Sequence, residues 1–213
     1  MVKLERSAAD FLPAKLTLPA LRAASKGCRG CELYKRGTET VFGRGPLRAQ
    51  LFFIGEQPGD HEDQAGEAFV GPAGKMLDKA LAEVGIDRSA AYVTNAVKHF
   101  KWEPRGKRRL HAKPTAREVA ACKPWLESEF KVVQPRLVVL LGATAAQALL
   151  GASFRVTVSR GKILNDDRYR FPLLATVHPS SLLRAPDEKA RAEAWEGFVR
   201  DLKVAAGFIS GAA

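Results

Sequence analysis

The chain has 213 residues, of which 46% are hydrophobic and 27% charged, as is typical of a folded globular protein rather than a disordered one. No apolar run approaches the roughly 20 residues that cross a bilayer, and the N-terminal residues lack a secretory signal. We therefore expect a monomeric cytoplasmic protein, with no membrane contact and with residues 1–213 in a single domain. The formal net charge of +11 favours DNA or RNA as partner, although solvated surface charge alone would give the same total.

Four apolar runs predict buried strands. They cover residues 51–54, 92–94, 137–141 and 173–177. Each run is continuous rather than alternating, which indicates burial on both faces and hence a parallel sheet.

Helical patterns lie between these runs, at residues 73–84, 115–130, 143–150 and 188–204. Thr115 is a predicted N-cap, because Glu118 follows it at capping-box spacing. The alternation predicts an α/β fold, a three-layer α/β/α sandwich around a central four-stranded parallel sheet. Residues 1–25 are expected to form an N-terminal extension, and residues 206–213 a frayed tail.

Polar or glycine-containing clusters follow each predicted strand. They are Glu56 and Gln57 after the first, Asn95 after the second, residues 142–144 after the third and His178 after the fourth. Ligands bind at the carboxyl ends of strands in open α/β sheets, so these clusters predict a site on one edge of the sheet.

Two segments are rich in glycine: GEQPG at 55–59 forms a tight turn, and FVGPAG at 69–74 opens the predicted helix at 73–84. Their backbone N–H groups are able to bind an anion or a carbonyl. No Gly-Lys-Ser/Thr follows, which excludes a Walker loop. A plain strand–helix connection would also explain them.

Residues 101–114 read KWEPRGKRRLHAKP and hold six Lys or Arg residues. So many like charges do not pack into a core, and Gly and Pro interrupt regular structure. We expect an exposed basic loop that lies along DNA, with an ordinary charged surface loop as the alternative.

The three cysteines include a C-x-x-C pair, Cys28 and Cys31, with Cys122 further on. An odd number of cysteines in a cytosolic chain argues against a disulfide framework. The pair instead raises the possibility of a metal site.

Taken together in this order, GEQPG, EAFVGPAGKMLDKAL, YVTNAVK and VHPSSLLR resemble the uracil-DNA glycosylase superfamily. The resemblance is greatest to family 4, the iron–sulfur type, and within it to the UdgX-type uracil-DNA cross-linking proteins. It covers about residues 28–184. It implies excision of uracil from DNA, preferentially single-stranded, after the nucleotide has been flipped out of the base stack.

The resemblance also implies roles for single residues. Gln57 would contact uracil or the reacting sugar, Phe69 would stack on the flipped base, and Asn95 would bind the uracil edge. His178 would hydrogen-bond uracil O2 as negative charge develops there. Contacts with DNA phosphate or backbone are assigned to Ser180, Ser181 and Arg184. Phe69, Asn95 and His178 could instead be a core residue, a strand-end cap and a structural histidine.

The segment from Lys107 to His111, KRRLH, resembles the KRRIH-type insertion that marks the UdgX branch, with leucine in place of isoleucine. This implies that His111 is the nucleophile and becomes attached to C1′ of the sugar. The surrounding cations are expected to keep its ring neutral. Glu56 is the candidate to orient His111, and DNA contacts are assigned to Lys107, Arg108 and Arg109. A phosphate-contacting loop histidine is the alternative.

Family 4 proteins hold a [4Fe–4S] cluster with four cysteines. Cys28, Cys31 and Cys122 match three of them, and His99 stands at the position of the fourth, directly after the Asn-x-Val-Lys stretch. The resemblance therefore predicts a structural cluster with a Cys3His ligand set, and zinc is the alternative on chemistry alone. The remaining histidine, His61, receives no role.

Two other functions stay open. One is a family 4 glycosylase that uses water as nucleophile and turns over. The other is a non-catalytic DNA-binding module with a structural metal cluster.

Overall fold

The computed structural model describes residues 6–211, which form eight helices and seven strands. In chain order these are α1 (Leu18–Ser25), β1 (Leu51–Gly55), α2 (Asp60–Ala65), α3 (Pro72–Glu83), β2 (Tyr92–Asn95), β3 (Trp102–Arg105), β4 (Arg108–His111), α4 (Ala116–Val133), β5 (Leu137–Leu141), α5 (Ala143–Leu150), α6 (Val156–Ser159), β6 (Ile163–Leu164), β7 (Leu173–Thr176), α7 (Pro179–Leu182) and α8 (Glu188–Ser210). Short 3-10 segments add Ala8–Phe11, Glu32–Lys35 and Arg88–Ala90. None of the helices within these residues has the length and apolar composition needed to span a bilayer.

The central sheet has the strand order β2-β1-β5-β7-β6. The first four strands pair in parallel, which confirms the predicted core of the sheet. The fifth, β6, is antiparallel to β7 at one edge and was not predicted. It has only two residues, too few to produce a recognisable hydrophobic pattern.

Helices cover both faces of the sheet, as predicted. Alternate strand residues, such as Phe52 and Val138, pack with α1, α4 and α5 on one face. Their neighbours, such as Phe53 and Val139, pack with α3 and α8 on the other. Burial on both faces explains why each strand reads as a continuous apolar run.

The helix ends agree with the sequence at some positions and differ at others. Thr115 forms the predicted capping box with Glu118 at the start of α4. The tail expected to fray over 206–213 is helical as far as Ser210, because Ala205 is buried against the sheet and Phe208 packs beside it. Residues 212 and 213 lie outside the described range.

The N-terminal extension expected over residues 1–25 is packed onto the core in its described part. Ala8, Leu18 and Leu21 are buried in the same cluster as α4. Residues 1–5 of that expectation lie outside the described range.

The basic segment is not the irregular loop that its glycine and prolines suggested. Strands β3 and β4 form an antiparallel hairpin, in which Trp102 pairs with His111 and Arg105 with Arg108. Gly106 has a φ of 59° in the turn between them, a conformation that glycine adopts without strain. Proline is tolerated because this two-stranded ribbon has only edge strands. The hairpin therefore holds His111 at a defined place.

The four parallel strands end at the same edge of the sheet. The chain passes from β1 outward to β2 and then returns to the other side of β1 through β5. Such a reversal opens a crevice beyond the strand ends, which is where α/β proteins bind ligands.

Candidate active site

A cavity of about 770 Å³ lies at this edge of the sheet. This volume is within the usual range for ligand pockets and leaves room for more than a single base. The predicted site residues in its wall are Glu56, Gln57, Phe69, Asn95, His111, His178, Ser180, Ser181 and Arg184. The fold thus brings the strand-end residues and the hairpin histidine around one space, as the sequence predicted for the strand ends.

Phe69 and Asn95 meet above Gly55, the last residue of β1. A methyl group on Gly55 would overlap Asn95 Oδ1 and would lie 2.7 Å from Phe69 Cζ. Both side chains are buried, and Asn95 is fixed by its position at the end of β2. A flat ring and an amide are therefore held side by side, an arrangement suited to a planar base with polar edges.

His178 is present as a neutral ring of defined tautomer. The backbone N–H of Ser180 donates to His178 Nδ1 at 3.2 Å, so this nitrogen carries no proton. Burial lowers the pKa of His178 to about 4, against a smaller opposing effect of Glu56. The remaining proton is therefore on Nε2, which makes the ring a hydrogen-bond donor at neutral pH without being a cation.

The two serines after His178 use their hydroxyl groups within the turn itself. Ser180 Oγ lies 2.8 Å from His178 Nδ1 and accepts from Arg184 Nη1 at 3.1 Å. Ser181 Oγ donates to the His178 carbonyl at 2.7 Å. These contacts fix the orientation of His178, while Arg184 stays exposed at the cavity wall.

Glu56 and His111 form a pair across the cavity. Glu56 Oε1 lies 3.3 Å from His111 Nε2, and Glu56 Oε2 accepts a hydrogen bond from Thr144. Burial acts to raise the pKa of Glu56, but the hydrogen bonds from His111 and Thr144 outweigh it and the pKa is lowered. The carboxylate is thus ionised and oriented toward a histidine ring that is 50% exposed.

Gln57, in the GEQPG segment after β1, links that segment to the hairpin. Its Nε2 donates to the carbonyls of Lys101 and Ala112, each at 3.1 Å, and its Oε1 accepts from the Lys101 amide at 3.1 Å. These three bonds cross the base of the hairpin, one residue before β3 and one residue after His111. In this arrangement the amide of Gln57 supports the hairpin, whereas the sequence suggested a contact with uracil or sugar.

Arg109 is partly buried and ion-paired within the protein, unlike its exposed neighbour Arg108. Its guanidinium forms ion pairs with Asp60 at 2.5 Å and Asp63 at 2.6 Å, and it lies over the ring of Trp102. The sequence suggested a DNA contact for this arginine, but its charge is already balanced by two carboxylates. It anchors the hairpin against α2.

The two neighbouring cations of the hairpin, Lys107 and Arg108, are exposed at its tip. Sequence reasoning gave no role to Thr144, which orients Glu56, nor to Asp60 and Asp63. Thr144 lies three residues past the end of β5, in the cluster 142–144 that the sequence placed at the site, and that position was the available signal. Nothing in the local sequence pairs Asp60 or Asp63 with an arginine more than 45 residues away.

The three cysteines occupy one region near the N-terminal segment. Trp125 Nε1 donates to Cys28 Sγ and the Lys98 amide donates to Cys122 Sγ, both at 3.3 Å. Burial raises the pKa of the Cys122 thiol to about 12, and the nearby thiols Cys31 and Cys28 add to the rise. Hydrogen bonds from N–H groups to sulfur are a feature of iron–sulfur sites.

The predicted fourth ligand, His99, lines the same small cavity as Cys28 and is hydrogen-bonded within the protein. His99 Nε2 lies 2.9 Å from Thr40 Oγ1, and its ring is buried. Over residues 6–211, no three Cys, His, Asp or Glu side chains converge closely enough to hold a single metal ion. The compact tetrahedral arrangement that zinc requires is therefore not formed by these side chains.

Comparison with known proteins gives a consistent family. The family model of the uracil DNA glycosylase superfamily matches residues 42–203. The chain is 37% identical over 166 residues to the type-4 uracil-DNA glycosylase of Archaeoglobus fulgidus, an alignment that covers 75% of this chain and 79% of that protein. It is 36% identical over 167 residues to the type-4 enzyme of Thermotoga maritima, covering 78% and 83% respectively.

A type-5 uracil-DNA glycosylase from Pyrobaculum aerophilum is also similar, at 31% identity over 182 residues, with 78% of this chain and 76% of that protein covered. The region matched by the family model contains the parallel sheet, the cavity residues and the hairpin. The chain therefore belongs to the uracil-DNA glycosylase superfamily.

Proposed function

We propose that this protein excises uracil from DNA and then becomes covalently attached, through His111, to the sugar left behind. Its type-4 relatives are uracil-DNA glycosylases by name. Supporting the base-binding role, Phe69 and Asn95 offer a stacking surface and an amide at one point of the cavity. A neutral His178 supplies a donor for the uracil oxygen as the glycosidic bond breaks, and donors aimed at developing charge lower the barrier.

The attachment step balances without an added reagent. The bond between C1′ and uracil N1 breaks and its electron pair leaves with uracil, so positive charge develops on the sugar. One ring nitrogen of His111 donates its lone pair to C1′, and the other gives its proton to Glu56. The product is a neutral alkylated imidazole, which is a poor leaving group, so the adduct is expected to persist.

The contact between Glu56 and His111 is the observation that carries this proposal. A basic hairpin that only contacted phosphate would not need an ionised, oriented carboxylate beside its histidine. Carboxylates that hold a reactive histidine ring recur in nucleophilic and acid–base catalysis. Thr144 and Gln57 fix the two partners from different elements.

The test is to mix the protein with single-stranded DNA that carries one uracil and to separate the products on a denaturing gel. A heat-stable protein–DNA band is the expected result. Abasic DNA without the band would indicate a glycosylase that uses water and turns over, and unaltered DNA would indicate a binding module. The same DNA with thymine in place of uracil is the control, and a duplex version tests the expected preference for single strands.

We also propose that Cys28, Cys31 and Cys122 hold a structural [4Fe–4S] cluster, with His99 as the fourth ligand. The N–H donors to Cys28 and Cys122 support cluster binding. A four-iron cluster is larger than one ion, so its ligands stand further apart than a single metal would need. Once bound, it would supply iron–thiolate bonds that tie the N-terminal segment to α4, and it takes no part in the excision chemistry.

Metal analysis of the purified protein tests this assignment. About four iron atoms per chain and a brown colour are expected. A colourless protein with one zinc per chain would contradict it. Replacing His99 by cysteine should retain the iron, whereas replacing it by alanine should lower the iron content.

Exposed cations at the hairpin tip, Lys107 and Arg108, together with Arg184 at the cavity wall, are proposed to contact the DNA backbone. Single-strand preference, a monomeric state and a cytoplasmic location remain predictions from the sequence.

A further inference from the structure

Glu62 connects the two glycine-rich segments of the site. It lies in α2, buried to 7% exposure, with no role assigned by the motifs. Its Oε2 accepts from the Gly59 amide at 3.1 Å and its Oε1 from the Gly71 amide at 2.7 Å. One carboxylate therefore joins the turn after β1 to the turn before α3.

Gly59 and Gly71 both lie close against the Glu62 carboxylate. A methyl group on Gly59 would lie 2.7 Å from Glu62 Oε2, and one on Gly71 would lie 2.9 Å from Glu62 Oε1. Either addition would push the carboxylate out of its place. The two turns thus enclose the Glu62 carboxylate, and its two hydrogen bonds hold it between them.

The segment that Glu62 holds is the one that presents Phe69. Phe69 has a φ of 58°, a left-handed conformation that costs energy for any residue with a side chain and persists only where the surroundings enforce it. Gly74, in α3, packs directly against the backbone of Phe69, because any side chain at position 74 would overlap the Phe69 carbonyl. The hydrogen bond from the Gly71 amide to Glu62 constrains the backbone two residues after Phe69.

We propose that Glu62 is a positioning residue that fixes the ring of Phe69 above Gly55 as the stacking surface for the base. This inference rests on the proposed uracil-excising function. A carboxylate suits the role because it only accepts hydrogen bonds and faces two N–H donors. A glutamine would present its own N–H2 to one of them and lose that link.

The test is a double-mutant cycle with Glu62→Gln and Phe69→Ala, in which uracil release from single-stranded DNA and its inhibition by free uracil are measured. Free uracil probes the base site without the rest of the DNA. Each single variant is expected to weaken inhibition by free uracil about tenfold, since base–aromatic stacking is worth this order of magnitude. The double variant should be no more than about twofold worse than Phe69→Ala, because both changes remove the same stacking surface.

Asp187→Asn is the matched control, since Asp187 also accepts from a backbone amide at a helix start but lies outside the cavity wall. It should leave release and inhibition unchanged. If Glu62→Gln does not fold, Gly71→Ala replaces it, because it keeps the carboxylate but displaces it, and the same loss is expected. A folded variant with normal inhibition by uracil, or losses that multiply in the double variant, would overturn the inference.

The outcome for the wild-type protein separates this inference from the function on which it depends. No excision by wild-type protein overturns the proposed function and the inference with it. Wild-type excision combined with an unaffected Glu62→Gln variant overturns the inference alone.

Discussion

The two sides of the cavity are built in different ways. Asn95 and His178 stand at the ends of β2 and β7, or within two residues of them, and the buried parallel sheet fixes them. His111 stands on a two-stranded hairpin that, within residues 6–211, pairs only with itself and is exposed over most of its length. The strand-end side depends on the core, whereas the hairpin side depends on a few polar contacts.

Under the proposed function, this difference predicts that base release and covalent attachment depend on separate parts of the structure. Gln57 and Arg109 hold the hairpin through side chains alone. Changes to the hairpin should therefore alter attachment while leaving base release, and changes at the strand ends should reduce both. Substitutions on each side of the cavity test this separation.

The largest effect is expected for His111→Ser. Removing the proposed nucleophile should abolish the heat-stable protein–DNA band, while water entering the vacated space should release uracil and leave an abasic site. A denaturing gel and an assay for free uracil measure the two products. His61→Ser, which removes the other exposed histidine of the cavity wall, should still give the band. A persistent band with His111→Ser would exclude this residue as the attachment point.

A smaller but still large loss is expected for His178→Ala. Removing one donor to a developing oxyanion typically slows a reaction about 100- to 1,000-fold. Release and attachment should fall together, because both follow from breaking the same glycosidic bond. Single-turnover rates with the uracil-containing strand provide the measurement. Loss of attachment alone would contradict the separation of the two sides.

Gln57→Ala should act on the hairpin side only. Loss of three hydrogen bonds at the hairpin base, each worth about 0.5–1.5 kcal/mol, should reduce the rate of attachment about tenfold or more. Uracil release should change much less. Gln50→Ala, before β1 at the opposite edge of the sheet, serves as control. If Gln57 instead contacts the base, release and attachment will fall in parallel.

Lys107→Ala should weaken DNA binding by a few-fold and leave the chemistry intact. Removing one phosphate contact should lower the slope of log affinity against log salt by about 1. Binding titrations at several salt concentrations measure this slope, with Lys203→Ala on α8 as control. An unchanged slope would mean that the hairpin tip does not lie along DNA.

The smallest expected effect is the dependence of stability on pH that His178 causes, and it does not appear at neutral pH. Because the folded pKa of His178 is about 4, below its ordinary value of 6.5, the unfolded state binds more protons between these values. Its contribution to stability is present above pH 6.5 and is lost as pH falls toward 4, by at most about 3 kcal/mol. Denaturant unfolding of wild-type and His178→Gln proteins at both pH values gives the difference. An equal loss in both would show that His178 titrates normally.

Much of the fold followed from local pattern. Four continuous apolar runs became the parallel strands, and Thr115 and Glu118 became the capping box of α4. These features depend on neighbours in sequence, which is why they are predictable. Strand β6 was missed because two residues carry no period. The hairpin was not predicted because glycine and proline indicated an irregular loop, whereas the two strands pair despite these residues.

The candidate site also has some features that local sequence predicts and others that depend on contacts between distant segments. Local sequence was enough to show which residues follow each buried strand, and the parallel arrangement then places Glu56, Asn95 and His178 at one edge. The contacts by which Gln57 and Arg109 support the hairpin, and by which Glu62 joins two turns, became visible in the folded chain alone. Strand ends can be predicted because they follow from where each apolar run stops, whereas a hydrogen bond between distant segments exists only after folding has brought them together.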